Sequence, residues 1–276
     1  MLSILSLTAC SKKNTKTCDD CYAIVNINTI DVEQGKIDAN MSLIIQDNYI
    51  LEIGKSSDLK IPNNATKIDG KEKFLIPGLW DMHVHTSTED ITRELLFPLF
   101  IANGLTGVRI MAADCFEPCW KLDLNITQTR RLQQEVEHGE IIGPKTILAS
   151  FYINEILPDS STVQAPLNAE HSRELVHLLK ERNVDFIKIY DDVPREAYLA
   201  LAKEANLVGL DFAGHVPFDM RSSEVSMAGQ KSIEHCCEFN LFRECSELEE
   251  ELRNELRKLL EAEEVKNLTE HFLKLA

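Results

Sequence analysis

The sequence predicts a parallel α/β fold preceded by a small β-rich segment, and three observations carry that expectation. From Phe74 onward, apolar strand-like runs alternate with amphipathic helical stretches six times, at roughly 30 residues per unit. Before Gly70 the apolar runs are short and are separated by turn residues rather than helices. The stretch from Ser246 to Ala276 carries helical periodicity alone. Composition agrees: of 276 residues, 44% are hydrophobic and 27% charged, a globular balance that excludes disordered, collagen-like and coiled-coil chains. With 29 Lys and Arg against 45 Asp and Glu, the formal charge is −16. That surface argues against a nucleic-acid partner, whose phosphates demand cations. No run approaches the roughly 18 apolar residues of a membrane-spanning helix.

The chain opens with an apolar stretch that ends at Cys10 and turns polar at once. Leu7-Thr8-Ala9-Cys10 resembles a bacterial lipobox, which implies lipidation of Cys10, export, and a membrane reached only through that lipid at the cell envelope. Only nine residues precede Cys10 and none is basic, so the start of the signal is expected upstream. Residues 1–21 then form a signal and polar tether. Eight cysteines suit an exported protein. Cys18-x-x-Cys21 and Cys115-x3-Cys119 have zinc-like spacings but lie far apart without a helical His pair, so local disulfides or plain thiols are expected.

Residues 22–70 contain Ala23–Ile27, Ser42–Gln46 and Tyr49–Ile53 as strand runs, with Asp47-Asn48 and Gly54-Lys55 as turns. About 50 residues are few for an independent core. In residues 71–245 strands are expected at Phe74–His85, Thr106–Met111, Thr146–Ser150, Asp185–Tyr190, Leu207–Gly214 and Ser232–Cys236. Helices fall near 88–103, 124–137, 171–183 and 195–205, with a short one before the sixth strand. Alternation alone leaves open whether the sheet is flat or closed into a barrel. In residues 246–276, Ser246 and Glu249 form a capping box ahead of a Leu248, Leu252, Leu256, Leu260 stripe.

Four of the eight histidines, His138, His171, His177 and His271, lie among charged helical residues and read as solvated. The other four end strands: His83 and His85 the first, His215 the fifth, His235 the sixth. In parallel barrels that end carries the active site. Period-two alternation puts His83 and His85 on one face, where two imidazoles can grip one divalent ion. In Asp185-Phe-Ile-Lys-Ile-Tyr190, Lys188 shares a face with Phe186 and Tyr190. A parallel strand is buried on both faces, so the ammonium must pair with a buried carboxylate or lose its charge. A desolvated lysine is nucleophilic, and reaction with carbon dioxide would turn it into an anionic carbamate able to bridge two metals.

Taken together, Leu75-Ile-Pro-Gly-Leu-Trp-Asp-Met-His-Val-His-Thr86, Lys188, His215 in Ala213-Gly-His-Val-Pro217, and His235 in Ser232-Ile-Glu-His235 resemble the amidohydrolase superfamily. The imidazolonepropionase-like and Xaa-Pro dipeptidase-like hydrolases are the nearest in pattern. The resemblance implies a (β/α)8 TIM-barrel type fold with a small β-sandwich, of which six of eight units are readable here. It implies two divalent ions, best suited by zinc (Zn2+): one on His83 and His85, one on His215 and His235, with carbamylated Lys188 bridging them. The chemistry implied is attack of a metal-activated water on an amide carbonyl, in a dipeptidase- or carboxypeptidase-like enzyme with small-molecule or dipeptide-like substrates. Tyr190, on the Lys188 face, is either a donor to the developing oxyanion or a packed strand tyrosine. The eighth-strand aspartate of the family has no counterpart in the sequence, so the chain reads as the N-terminal part of a longer protein. The alternatives are a truncated, non-catalytic metal-binding remnant and a mononuclear deaminase or cyclic-amide hydrolase of the same superfamily.

Overall fold

The computed structural model describes residues 20–47, 49–115, 119, 124–154, 163–164 and 168–235, and positions 251, 254, 255 and 258. Cys10 and the tether, the Ser246 capping box with its leucine stripe, and His271 lie outside the described residues. The chain divides between Pro77 and Gly78 into two compact units.

The first unit is one mixed sheet of five strands: β1 (Tyr22–Asp31), β2 (Lys36–Gln46), β3 (Tyr49–Lys55), β4 (Thr66–Asp69) and β5 (Phe74–Leu75). The order is β3-β2-β1-β4, with β5 also paired to β1. β1–β2 and β2–β3 are antiparallel, whereas β4 and β5 run parallel to β1. Its core is small: Cys21, Ala23, Ile44, Leu59 and Ala65. Cys21 is disulfide-bonded.

The second unit holds a curled parallel sheet of β6 (Leu79–Val84), β7 (Leu105–Ile110), β8 (Lys145–Ile153), β9 (Val163–Gln164), β10 (Phe186–Ile189) and β11 (Asp211–Gly214). Its order is β11-β10-β8-β7-β6, with β9 beside β8. Neighbours follow chain order with no reversal, as in a singly wound barrel rather than a doubly wound sheet. The helices are α1 (Glu89–Ile91), a π-helical turn (Thr92–Leu96) leading into α2 (Phe97–Ala102), α3 (Ile126–Glu137), α4 (Ala169–Glu181), α5 (Arg195–Val208) and α6 (Ser222–Met227). Their ends follow local chemistry. Asn125 and Gln128 form a capping box on α3, and Asn168 accepts from the N–H groups of Glu170 and His171 at the start of α4.

Alternation on β10 decides where the chemistry sits. Ile187 and Ile189 join a buried cluster with Leu175, Val176 and Leu179 of α4 and Tyr198 and Leu201 of α5. Phe186 belongs instead to a separate cluster with Met111, Ala149 and Ala213. Lys188 therefore faces the inner side of the curled sheet with Phe186. It is 1% exposed.

Asp114, in the segment after β7, is completely buried and joins three elements. Its carboxylate accepts from the N–H groups of Cys115 and Ile126 and takes both Nε and Nη2 of Arg182, the C-cap of α4, at 2.6 Å each. Cys115 and Cys119 form a disulfide beside it.

Three boundaries differ from the sequence expectation. The run from Phe74 to His85 splits at Ile76-Pro77-Gly78, with β5 in one sheet and β6 in the other. Helix α5 continues through Val208 and stops at Gly209, whose φ of +67° suits glycine in the left-handed region. The fifth strand accordingly starts at Asp211. The sixth strand is reduced, among the described residues, to a single parallel bridge between Gly214 and Ile233.

Candidate metal centre

Each candidate residue reaches the site from the C-terminal end of a strand. His83 on β6 and His85 just after it have ring centroids 5.2 Å apart. Lys188 comes from β10, its backbone N–H donating to Ser150 Oγ at 3.0 Å. His215 follows β11 directly. The turn that delivers it requires Gly214, which has φ +140°, where a Cβ would lie 2.0 Å from the carbonyl oxygen of Ile189. His215 N–H donates to that same oxygen at 3.0 Å. His235 holds a left-handed backbone with φ of +53°, a strained conformation for histidine. Its ring stands 4.4 Å from His83 and 5.0 Å from His215.

The four strand-end histidines thus converge in one group, and Lys188 belongs to it electrostatically. Burial lowers the pKa of His83, and the Lys188 charge lowers it further against the opposing pull of Glu234. His85 is pushed down to about 4 by burial first, then by repulsion from His83, Lys188 and His235. Both imidazoles are therefore neutral near pH 7, the state a metal ligand needs. By contrast, His138 and His177 lie exposed outside this group, the latter bonded to Glu204 at 3.0 Å.

Three of the four rings are oriented by a partner. His83 Nδ1 meets Glu234 Oε2 at 2.8 Å, His215 Nδ1 meets Asp191 Oδ1 at 2.9 Å, and His85 Nδ1 meets Tyr152 Oη at 3.2 Å. With Nδ1 committed in each case, Nε2 remains to serve as ligand. His215 Nε2 is buried and has no hydrogen-bond partner, an expensive state for a ring nitrogen with nothing to bind. Tyr190 packs its ring 4.3 Å from His215 and 5.3 Å from Tyr152, at the edge of the cluster. Among the described residues, no group of three or more His, Cys, Asp and Glu is arranged to hold a single ion.

Sequence reasoning missed Arg109, Asp191, Tyr152 and Glu234. Arg109 lies on the inner side with Phe186, its guanidinium 5.4 Å from that ring. It donates to Met82 O, Ser232 Oγ and Glu234 Oε1 at 2.6, 2.9 and 2.5 Å. A charged residue inside the apolar run Gly107-Val-Arg-Ile110 was the available signal, the same one that singles out Lys188.

No family model matches the chain. Among curated proteins, it is 33% identical over 87 residues to an adenine deaminase from Staphylothermus marinus, covering 31% of this chain and 14% of that protein. It is 41% identical over 97 residues to a dihydroorotase from Carboxydothermus hydrogenoformans, covering 32% of this chain and 20% of that protein. Solved structures with a similar fold include an Xaa-Pro dipeptidase with bound methionine in its active site, at TM-score 0.57 and 19% identity over 78% of this chain and 61% of that one. A prolidase complexed with N-methylphosphonate-L-proline gives TM-score 0.58 and 17% identity, over 78% of this chain and 60% of that one. The chain thus spans about three-fifths of these structures and a fifth or less of the curated relatives. What this likeness shows is the fold: the curled parallel α/β sheet is shared with these dipeptidase and prolidase structures.

Proposed function

We propose that the protein is a metal-dependent amidohydrolase that cleaves an amide bond of a small, dipeptide-like substrate. The observation that carries this reading is the convergence of His83, His85, His215 and His235 on the inward-facing Lys188, with a buried His215 Nε2 that lacks any partner. The residues fit a pair of divalent ions. His83 and His85 would hold one and His215 and His235 the other, with Zn2+ the natural choice for imidazole ligands. Lys188 would complete both sites after its neutral Nζ attacks carbon dioxide, forming an N–C bond and releasing one proton.

When bound, such ions supply Lewis-acid activation of water and of the scissile carbonyl. The chain's own residues do the positioning. Glu234, Asp191 and Tyr152 hold three of the four rings in place, and Phe186, Met111 and Ala213 keep the inner side dry. Tyr190 stands against His215, where its hydroxyl can donate to the oxyanion that develops on the carbonyl. Tyr190→Phe is expected to lower kcat by about a hundredfold with little change in KM; an unchanged kcat would make it a packed strand tyrosine.

The relatives that act as an adenine deaminase and a dihydroorotase support a second reading, a deaminase or cyclic-amide hydrolase. A single-metal deaminase has no use for a fully buried Lys188, which favours the peptidase. Metal analysis of the purified chain, followed by assays on Xaa-Pro dipeptides, dihydroorotate and adenine, separates them. Two zinc ions per chain with chelator-sensitive dipeptide cleavage is the expected result. One ion per chain with turnover of adenine would replace this proposal with the second. The same proposal places the protein at the cell envelope through a lipid on Cys10. The Cys115–Cys119 disulfide supports export, because such bonds persist in oxidising compartments.

A further inference from the structure

We infer that Glu234 is a positioning residue that fixes the tautomer of His83, holding the ring as Nδ1–H and leaving Nε2 as its only acceptor. The inference rests on the reading of His83 as a ligand only where metal affinity is concerned. The argument turns on the two carboxylate oxygens having different duties. Oε1 accepts from Arg109 Nη2 at 2.5 Å and from Ser232 Oγ at 2.6 Å. Oε2 is left to His83 Nδ1, at 2.8 Å. Arg109 is itself fixed, since Nε donates to Met82 O on the strand that carries His83, and Nη1 donates to Ser232 Oγ. The Ser232 hydroxyl in turn donates its hydrogen bond to Glu234 Oε1. Arg109 Nη2 and the Ser232 hydroxyl both donate to Glu234, whose side chain is only 8% exposed. A carboxylate can only accept, so His83 must donate from Nδ1.

This gives Glu234→Gln an unusual consequence. A guanidinium has no acceptor, so the amide oxygen of glutamine must take the Oε1 place beside Arg109. The amide NH2 then faces His83 Nδ1 and donates to it. The ring is driven to the Nε2–H tautomer, and the lone pair that would hold a metal is occupied by a proton. Glu234→Asp keeps two accepting oxygens and should keep the original tautomer.

The test is a long-range 15N–1H correlation spectrum of the imidazoles in the metal-free chain at mildly alkaline pH, with His83 assigned by its loss in His83→Gln. Wild type and Glu234→Asp are expected to show Nδ1–H at His83, and Glu234→Gln to show Nε2–H. Zinc titration against a chromogenic chelator should then find the Gln variant weaker by roughly 10- to 100-fold at one of two sites. The same His83 tautomer in wild type and Glu234→Gln overturns the inference. If the tautomer switches but neither protein binds zinc, the inference stands and the metal reading falls.

Discussion

Lys188→Met is expected to abolish hydrolysis in a chain that still folds. Lys188 is 1% exposed and faces inward with Phe186, so a methionine of similar length fits the same space. On the proposed reading, losing the carbamate should cost several kcal/mol of charge stabilisation in the transition state, about a thousandfold or more in kcat/KM. A loss of that size in a chain that still unfolds cooperatively separates a chemical role from a structural one. The experiment compares kcat/KM with the thermal midpoint of each protein. Substantial activity in Lys188→Met would remove the carbamate from the mechanism.

The second large effect is on stability. Asp114→Ala is expected to cost about 3 kcal/mol, at the low end for breaking a buried pair because Arg182 is 25% exposed and can recover some water. The change strands more than the guanidinium. The N–H groups of Cys115 and Ile126 also lose their acceptor, and Ile126 begins α3. Urea denaturation with the disulfide kept oxidised measures it, and a midpoint equal to that of wild type would contradict the role assigned to Asp114.

Much of the framework was legible in the chain because alternation and period-two burial are local properties. That Lys188 shares a face with Phe186, opposite Ile187 and Ile189, followed from the pattern Phe-Ile-Lys-Ile alone, and the structure puts the two isoleucines on the helix-facing side. Boundaries were less legible where two elements share a composition. Leu207-Val208 reads as strand by its residues, yet α5 runs through it and leaves Leu207 70% exposed before Gly209 ends the helix. Phe74–His85 is apolar on both sides of Pro77, so nothing local reveals that it serves two sheets. The supporting groups of the site were the least legible. Glu234 next to a histidine resembles any surface acid, and only a partner 125 residues earlier in the chain, Arg109, makes it a buried one. Asp191 likewise acquires its meaning only from the turn that brings His215 to it.

The unreversed strand order has a consequence for how the molecule is made. Each strand from β7 onward, β9 aside, docks on one that left the ribosome a single unit earlier, so the sheet can be assembled during synthesis from contacts of short sequence separation. The candidate site obeys a different schedule. His83 emerges early, but its partner Glu234 follows 151 residues later. The scaffold is thus built progressively, while the full cluster of side chains waits for Glu234 and His235 to arrive.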